Sequence, residues 1–269
     1  MINYSIIAIF ANMFKIFDWF KEKVEFFFLE VGSIALLIWG IILSFPRVFR
    51  DRKLILDQMS HIGVGSIPLV IIIGFFTGAV SAWQAAYQFQ GFISLSFLGS
   101  AVTKAIFIEL GPVLTAIVLA GRIGASIAAE LGTMKVTEQI DALESLAINP
   151  VRYLVMPRFL ASIVMLPVLT IIANAIAILG AFGVSYFFMD VSFQVFFTSA
   201  KRVFDIKDIA GGLIKAFFFG ASISILGCHV GLHAKGGALG VGNATIRAFV
   251  LAASMTLILD YVLWTTIFG

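Results

Sequence analysis

Charge is what this sequence has least of. Only 12% of its 269 residues are Asp, Glu, Lys or Arg, whereas 61% are hydrophobic. A soluble domain carries about 25% charged residues to solvate its surface, so a water-exposed globule is excluded and a lipid-embedded chain is expected. A single cysteine, Cys228, excludes an intrachain disulfide. The apolar runs lack the period-2 alternation of a transmembrane barrel, which leaves an all-α polytopic membrane protein. Gly236–Gly242 has the glycines of a phosphate loop but neither the Lys-Ser/Thr ending nor a preceding strand. It reads as a flexible turn, with Asn243 or Thr245 capping the last span, and the chain is expected to have no ATPase site of its own. The net charge of +3 comes without zinc-finger spacing or an aromatic-studded basic patch, so no nucleic-acid partner is expected. His229 and His233 stand at i,i+4 beside Cys228, but no acidic or second cysteine ligand is near, so no metal is expected.

What is present is long apolar runs. A spanning helix needs roughly 20 predominantly apolar residues. Ile62–Trp83, Phe159–Met189, Ile209–Leu232 and Ala248–Phe268 qualify, and Ala105–Ala129 qualifies if Glu109 and Arg122 find partners or an interface. The first 60 residues differ. Ile6, Phe10, Phe14, Phe17 and Val24 recur at helical spacing with Asn12, Lys15, Asp18 and Glu22 between them, the pattern of an interfacial helix. Phe26–Phe45 is apolar but interrupted by Glu30, and reads as an elbow dipping into one leaflet, with a full crossing as the alternative. The expected organisation is an amphipathic region over 1–60 and a transmembrane domain of five spans over 61–269.

Arg47, Arg50, Arg52 and Lys53 precede the first clear span and mark that side as cytoplasmic. Counting onward puts the N-terminus in the cytoplasm, 130–158 and 233–247 inside, and the C-terminus outside. Lys201, Arg202 and Lys207 in an outside loop run against this count, but the inside cluster is larger. Between spans two and three, Ile140, Leu143 and Leu146 or Ala147 line one side of a short helix and Glu138, Asp141, Glu144 and Ser145 the other. Thr137 is placed to cap its start, with Glu138 in the first turn, and Pro150 to end the pattern. Pattern alone leaves two readings, a connector resting on the membrane or a docking helix for a cytoplasmic partner.

A carboxylate inside a span costs a few kcal/mol, roughly 2.5–3.5 on insertion scales, and therefore faces protein or water. Glu109 lies roughly 20 Å along its helix from Arg122, and Asp260 roughly 20 Å from Arg247, so the two acids sit at similar depth. Lys104 is placed to pair with either. These intramembrane polar residues, Lys104, Glu109, Arg122 and Asp260, read as packing ion pairs or as a polar patch on a lipid or ion path. An ion-coupled secondary transporter titrating Glu109 and Asp260 is the rival to any ATP-driven reading, and a non-transporting membrane anchor is a third.

The run from Glu109-Leu-Gly-Pro through Gly121-Arg-Ile-Gly to Glu138-Gln-Ile-Asp-Ala-Leu143, followed by Asn149-Pro150, Pro157-Arg158 and Leu259-Asp260-Tyr261, closely resembles the MlaE family of ABC transporter permeases. The resemblance covers roughly residue 74 to the end. It implies an elbow plus five spans, a homodimer, and two cytoplasmic ATPase subunits that bind the ATP and Mg, and it leaves open a small regulatory protein on them. It also implies an MCE-domain partner, often a hexamer, docked outside the inner membrane. The cargo would be glycerophospholipid moved between inner and outer membranes, with outer-membrane lipid asymmetry as the outcome. Thr137, Glu138, Gln139, Asp141, Ala142 and Leu143 match the family's coupling helix. Carried over in the same way, the lipid cavity falls on Phe76, Val80, Trp83, Gln84 and Tyr87 of one helix and Glu109 and Leu110 of the next.

Overall fold

In the computed structural model, residues 2–45, 52–89 and 91–269 are described, the side chains of α1 only from residue 21 onward and without 26 and 27. Every regular element among them is helical. Six helical segments are long and apolar enough to cross a membrane: Lys21–Ser44, Arg52–Phe89, Leu95–Val136, Val151–Met189, Ile206–Leu232 and Gly237–Ile267.

The N-terminal part is one unbroken helix, α1 (Ile2–Ser44), where the sequence pattern suggested an elbow. At 1.5 Å per residue it is about 64 Å long, twice the hydrocarbon thickness of roughly 30 Å. Glu30 does not interrupt it, because Arg247 of a distant helix donates a 2.7 Å hydrogen bond to its carboxylate. Leu37 and Ile41 on the same helix are buried in the main core. The amphipathic pattern from Ile6 to Phe17 and the basic residues Arg47 and Arg50 lie outside the described side chains.

After α2 (Arg52–Ile62), a 3-10 turn leads into α3 (Ile67–Phe89). α3 packs along α8 (Met156–Met189) through small residues four apart: Gly74, Gly78, Ala82 and Ala86 meet Ala173, Ala177, Gly180 and Ala181. A Cβ at Gly78 would stand 1.7 Å from the Ala177 carbonyl oxygen, and one at Gly180 2.2 Å from that of Phe75. In lipid, where there is no hydrophobic drive between helices, such close backbone approach supplies the packing that holds them.

The next crossing is broken into α4 (Leu98–Ala105), α5 (Gly111–Leu119) and α6 (Ala125–Val136) by two π-helical turns, Ile106–Leu110 and Ala120–Gly124. The first has a local cause. Pro112 lacks an N–H and its ring would clash with the carbonyl four residues back, so the helix widens just before it and the Gly111 N–H bonds to Ile106 O. The turn Val151–Val155 ahead of Pro157 in α8 repeats this arrangement.

α7 (Gln139–Ser145) follows α6 at one end of the bundle, and α9 (Phe193–Arg202) packs on α4 at the other, where the Ser100 N–H donates to Ser199 Oγ at 2.9 Å. α10 (Ile206–Leu232) and α11 (Gly237–Ile267) complete the bundle against α6 and α8. α11 begins a full three turns before the expected last span, with Gly236 at its N-cap in a left-handed conformation (φ 94°). Asn243 and Thr245 therefore lie inside the helix, and the Thr245 hydroxyl donates to Gly242 O instead of capping.

Gly78→Val is expected to force α3 from α8 and cost about 1–3 kcal/mol, read as a fall in the thermal midpoint of the detergent-solubilised protein. Gly183→Ala on α8, where a Cβ would meet nothing within 4 Å, should leave that midpoint unchanged or slightly raised.

Candidate functional site

The expensive residues of the membrane interior converge on one that the sequence reading passed over. Lys215 of α10 has a fully buried side chain, and its ammonium donates to Glu109 Oε2 at 2.7 Å and lies 2.8 Å from Asp260 Oδ1. Glu109 sits in the π turn before Pro112, and Asp260 sits on α11. Gly212 makes the meeting possible. A Cβ there would be 2.3 Å from the Phe107 carbonyl oxygen, so α10 lies directly on the π turn, and Lys215, one turn further on, reaches Glu109. The Phe268 ring closes the pocket, its centroid 5.9 Å from the ammonium. A buried cation is tolerated only when paired and hydrogen-bonded, and two other helical segments supply that pairing.

Lys104 does not join this group. It pairs with Asp208 at the start of α10, at 3.6 Å, because Lys215 already occupies both acids. Arg122, on the second π turn, donates to Ser66 Oγ and so ties α6 to the turn between α2 and α3. Gly65 leaves the room, since a Cβ there would meet the guanidinium. Below it, Arg158, nine-tenths buried, donates to Glu130 Oε2 at 2.9 Å and to Leu154 O. The one lysine in the run Ile209–Leu232 carried the same signal as Glu109 and Asp260, a lone charge amid apolar residues, and is the functional candidate that reading missed.

The residues assigned to a lipid cavity separate into two places within the protomer. Phe76, Val80, Trp83, Gln84 and Tyr87 form an exposed stripe on α3, opposite its glycine seam. Trp83 and Tyr87 border a cavity of about 430 Å³ with Phe188, Ile93 and Leu95. Glu109 borders a different open groove of about 420 Å³, with Lys104, Ile108 and Trp264. Leu110 is half-buried beside it.

On the opposite end, α7 is anchored and yet open. Ile140 is buried in the core and Leu143 packs on it, while Thr137, Glu138, Gln139, Asp141 and Ala142 are exposed. The start differs from the expected cap. Thr137 ends α6, donating to Thr133 O, and Glu138 turns the chain in a left-handed conformation (φ 61°) before the helix begins at Gln139. The far end closes with Ala147 left-handed (φ 57°), its N–H on Glu144 O and the Ile148 N–H on Leu143 O, a Schellman arrangement. Asn149 and Pro150 start the next helix and do not stop this one: Asn149 Oδ1 accepts from the Val151 N–H at 2.9 Å.

A bundle of membrane-length helices pinned by internal ion pairs, with one short, anchored, exposed helix at one end, is a polytopic membrane protein. A family model described as Permease MlaE matches residues 55–266. The chain is 38% identical to a probable ABC transporter permease protein of Rickettsia conorii over 251 residues, 93% of this chain and 97% of that one. It is 36% identical to a probable ABC transporter permease protein of Synechocystis over 232 residues, 86% and 85% of the two chains. With the intermembrane phospholipid transport system permease protein MlaE of Haemophilus influenzae it shares 33% identity over 250 residues, 93% and 95% of the two. The chain belongs to the MlaE permease family.

Lys215→Met is expected to leave two facing carboxyl groups without their cation and to cost about 3–5 kcal/mol. Adding Glu109→Gln and Asp260→Asn should recover most of that loss, as read from thermal unfolding in detergent.

Proposed function

We propose that this chain is the permease subunit of an ATP-driven transporter that moves glycerophospholipid between the inner and outer membranes, working as a homodimer in the inner membrane. A pair of cytoplasmic ATPases holds the ATP and Mg, and an MCE-domain protein on the far side exchanges lipid with the permease, so that outer-membrane lipid asymmetry is maintained. The family, and the phospholipid named for the Haemophilus influenzae relative, support the cargo. The observation that carries the reading is α7, a helix fixed to the core by Ile140 (4% exposed) that offers Glu138, Gln139, Asp141 and Ala142 to a partner.

A push on α7 passes rigidly into α6. From there it runs through the two π turns to Glu109, and through Lys215 to α10 and α11. Such π turns are frequent at functional sites, and here they interrupt the crossing that α7 would move. Nucleotide drives transport only if it favours one arrangement of these helices over another. The apolar stripe on α3 suits acyl chains, and the groove beside Lys104 and Glu109 suits the polar end of a lipid.

In the test, Glu138 and Asp141 are both replaced by Lys. Asp141 is in an exposed 2.7 Å pair with Lys135, and exposed pairs are worth about 0–1 kcal/mol, so the thermal midpoint should barely move. Co-purification of the ATPase and lipid-stimulated ATP hydrolysis should fall by about tenfold or more. Undiminished ATPase binding and hydrolysis in this variant would remove the coupling role. Lipid transfer by the permease alone, on a proton gradient and without nucleotide, would overturn the ATP-driven reading in favour of titration at Glu109 and Asp260.

A further inference from the structure

At the end of the bundle that carries α7, the α10–α11 turn and α1 border an open cavity of about 190 Å³, remote from the Lys215 cluster. The C-terminal part of α6 packs on this turn, where a Cβ at Gly132 would be 3.2 Å from that of Ala234. The lining is rich in cationic and donor groups: Lys235 and His233 from the turn, His229 from α10, and Asn243 and Arg247 from α11, against the single acid Glu30. His229 is only 3% exposed, and its Nδ1 has no hydrogen-bond partner among the described residues, while its Nε2 is 3.9 Å from Glu30 Oε1. Gly240 brings the first turn of α11 to the same cavity, and that turn holds no acidic residue and no side-chain cap. The cavity lies against the flank of α11, whose Gly240, Asn243, Ala244 and Arg247 share one face of the helix just after its start.

We propose that this cavity binds the phosphate group of a membrane phospholipid, at headgroup level in the leaflet on the α7 side. The assignment of a phospholipid, as opposed to another amphiphilic phosphate, rests on the transport reading above. The surface next to the cavity has the shape of the rest of such a ligand. Leu239, Ile246 and Val250 run up α11 at helical spacing, 79%, 65% and 52% exposed, and Phe28 and Leu29 on α1 are each 67% exposed. A lipid phosphate in the cavity lays its acyl chains along this apolar wall. Glu30 already holds Arg247 by a carboxylate oxygen, and a guanidinium that takes a carboxylate takes a phosphate oxygen in the same geometry. The cavity is small, which suits a headgroup and leaves the chains outside.

The test uses the full-length permease in detergent, titrated by native mass spectrometry with phosphatidylglycerol, with diacylglycerol that lacks the phosphate, and with inorganic phosphate as competitor. Lys235→Glu with Asn243→Asp changes only exposed side chains and should leave the thermal midpoint in place. It should raise the half-saturating phosphatidylglycerol concentration about tenfold, the size of one lost charge-assisted contact, and leave diacylglycerol retention unchanged. Equal phosphatidylglycerol retention by the variant and the natural chain overturns the site. Displacement of phosphatidylglycerol by inorganic phosphate identifies a soluble anion as the occupant and overturns the lipid assignment. These readings involve no nucleotide, so a permease that failed every transport assay yet lost phosphatidylglycerol on substitution would sink the transport reading and keep this site.

Discussion

The whole arrangement turns on one ammonium group in the membrane interior. Lys215 has no exposed surface, and the cost of an unpaired charge in hydrocarbon is too large for the bundle to carry. It is met by carboxyl groups from two other segments, Glu109 on the π turn and Asp260 on α11. This fixes three crossings relative to one another at a depth where apolar side chains alone are indifferent to register. It also explains the glycine at 212 and the separate pairing of Lys104 with Asp208.

Around that pin the bundle is held by two further kinds of contact. Small-residue seams, above all that of α3 with α8, let backbones touch where lipid offers no hydrophobic drive. Polar ties at the α7 end, Arg122 to Ser66 and Arg158 to Glu130, bind α6 to the α2–α3 turn and to α8. The bundle is therefore a stiff body interrupted at defined places, the π turns, and not a uniformly soft one. The two ends are chemically distinct: an open groove bearing Lys104 and Glu109 at one, and a donor-rich cavity beside α1 at the other.

Much of this was legible in the residues. Five of the six membrane-length segments stand out as apolar runs, and Glu109 and Asp260 as charges in need of partners. The lysine that satisfies them does not stand out, because a single Lys barely lowers the mean hydropathy of Ile209–Leu232. The start of α7 was misplaced by one reading of a threonine: Thr137 has the chemistry of an N-cap, but its hydroxyl is already committed to the turn behind it. Asn149-Pro150 was read as a stop when it is a start, since Pro at the first helical position loses no hydrogen bond. The unbroken α1 was obscured by Glu30, whose partner Arg247 is 217 residues away in sequence.

The sequence alone determined that the chain lives in lipid, that it is helical, and which family it resembles. These follow from composition, run length and local motif, properties that each stretch carries by itself. Tertiary structure alone decided which charges meet, how the assigned lipid-facing residues divide between two surfaces, and that donor groups of α10, α11 and the turn between them gather against one acid of α1. Such outcomes depend on helix rotation and register, and those are set by close contacts between segments far apart in the chain, where a single missing Cβ, as at Gly212, decides what its neighbour can reach.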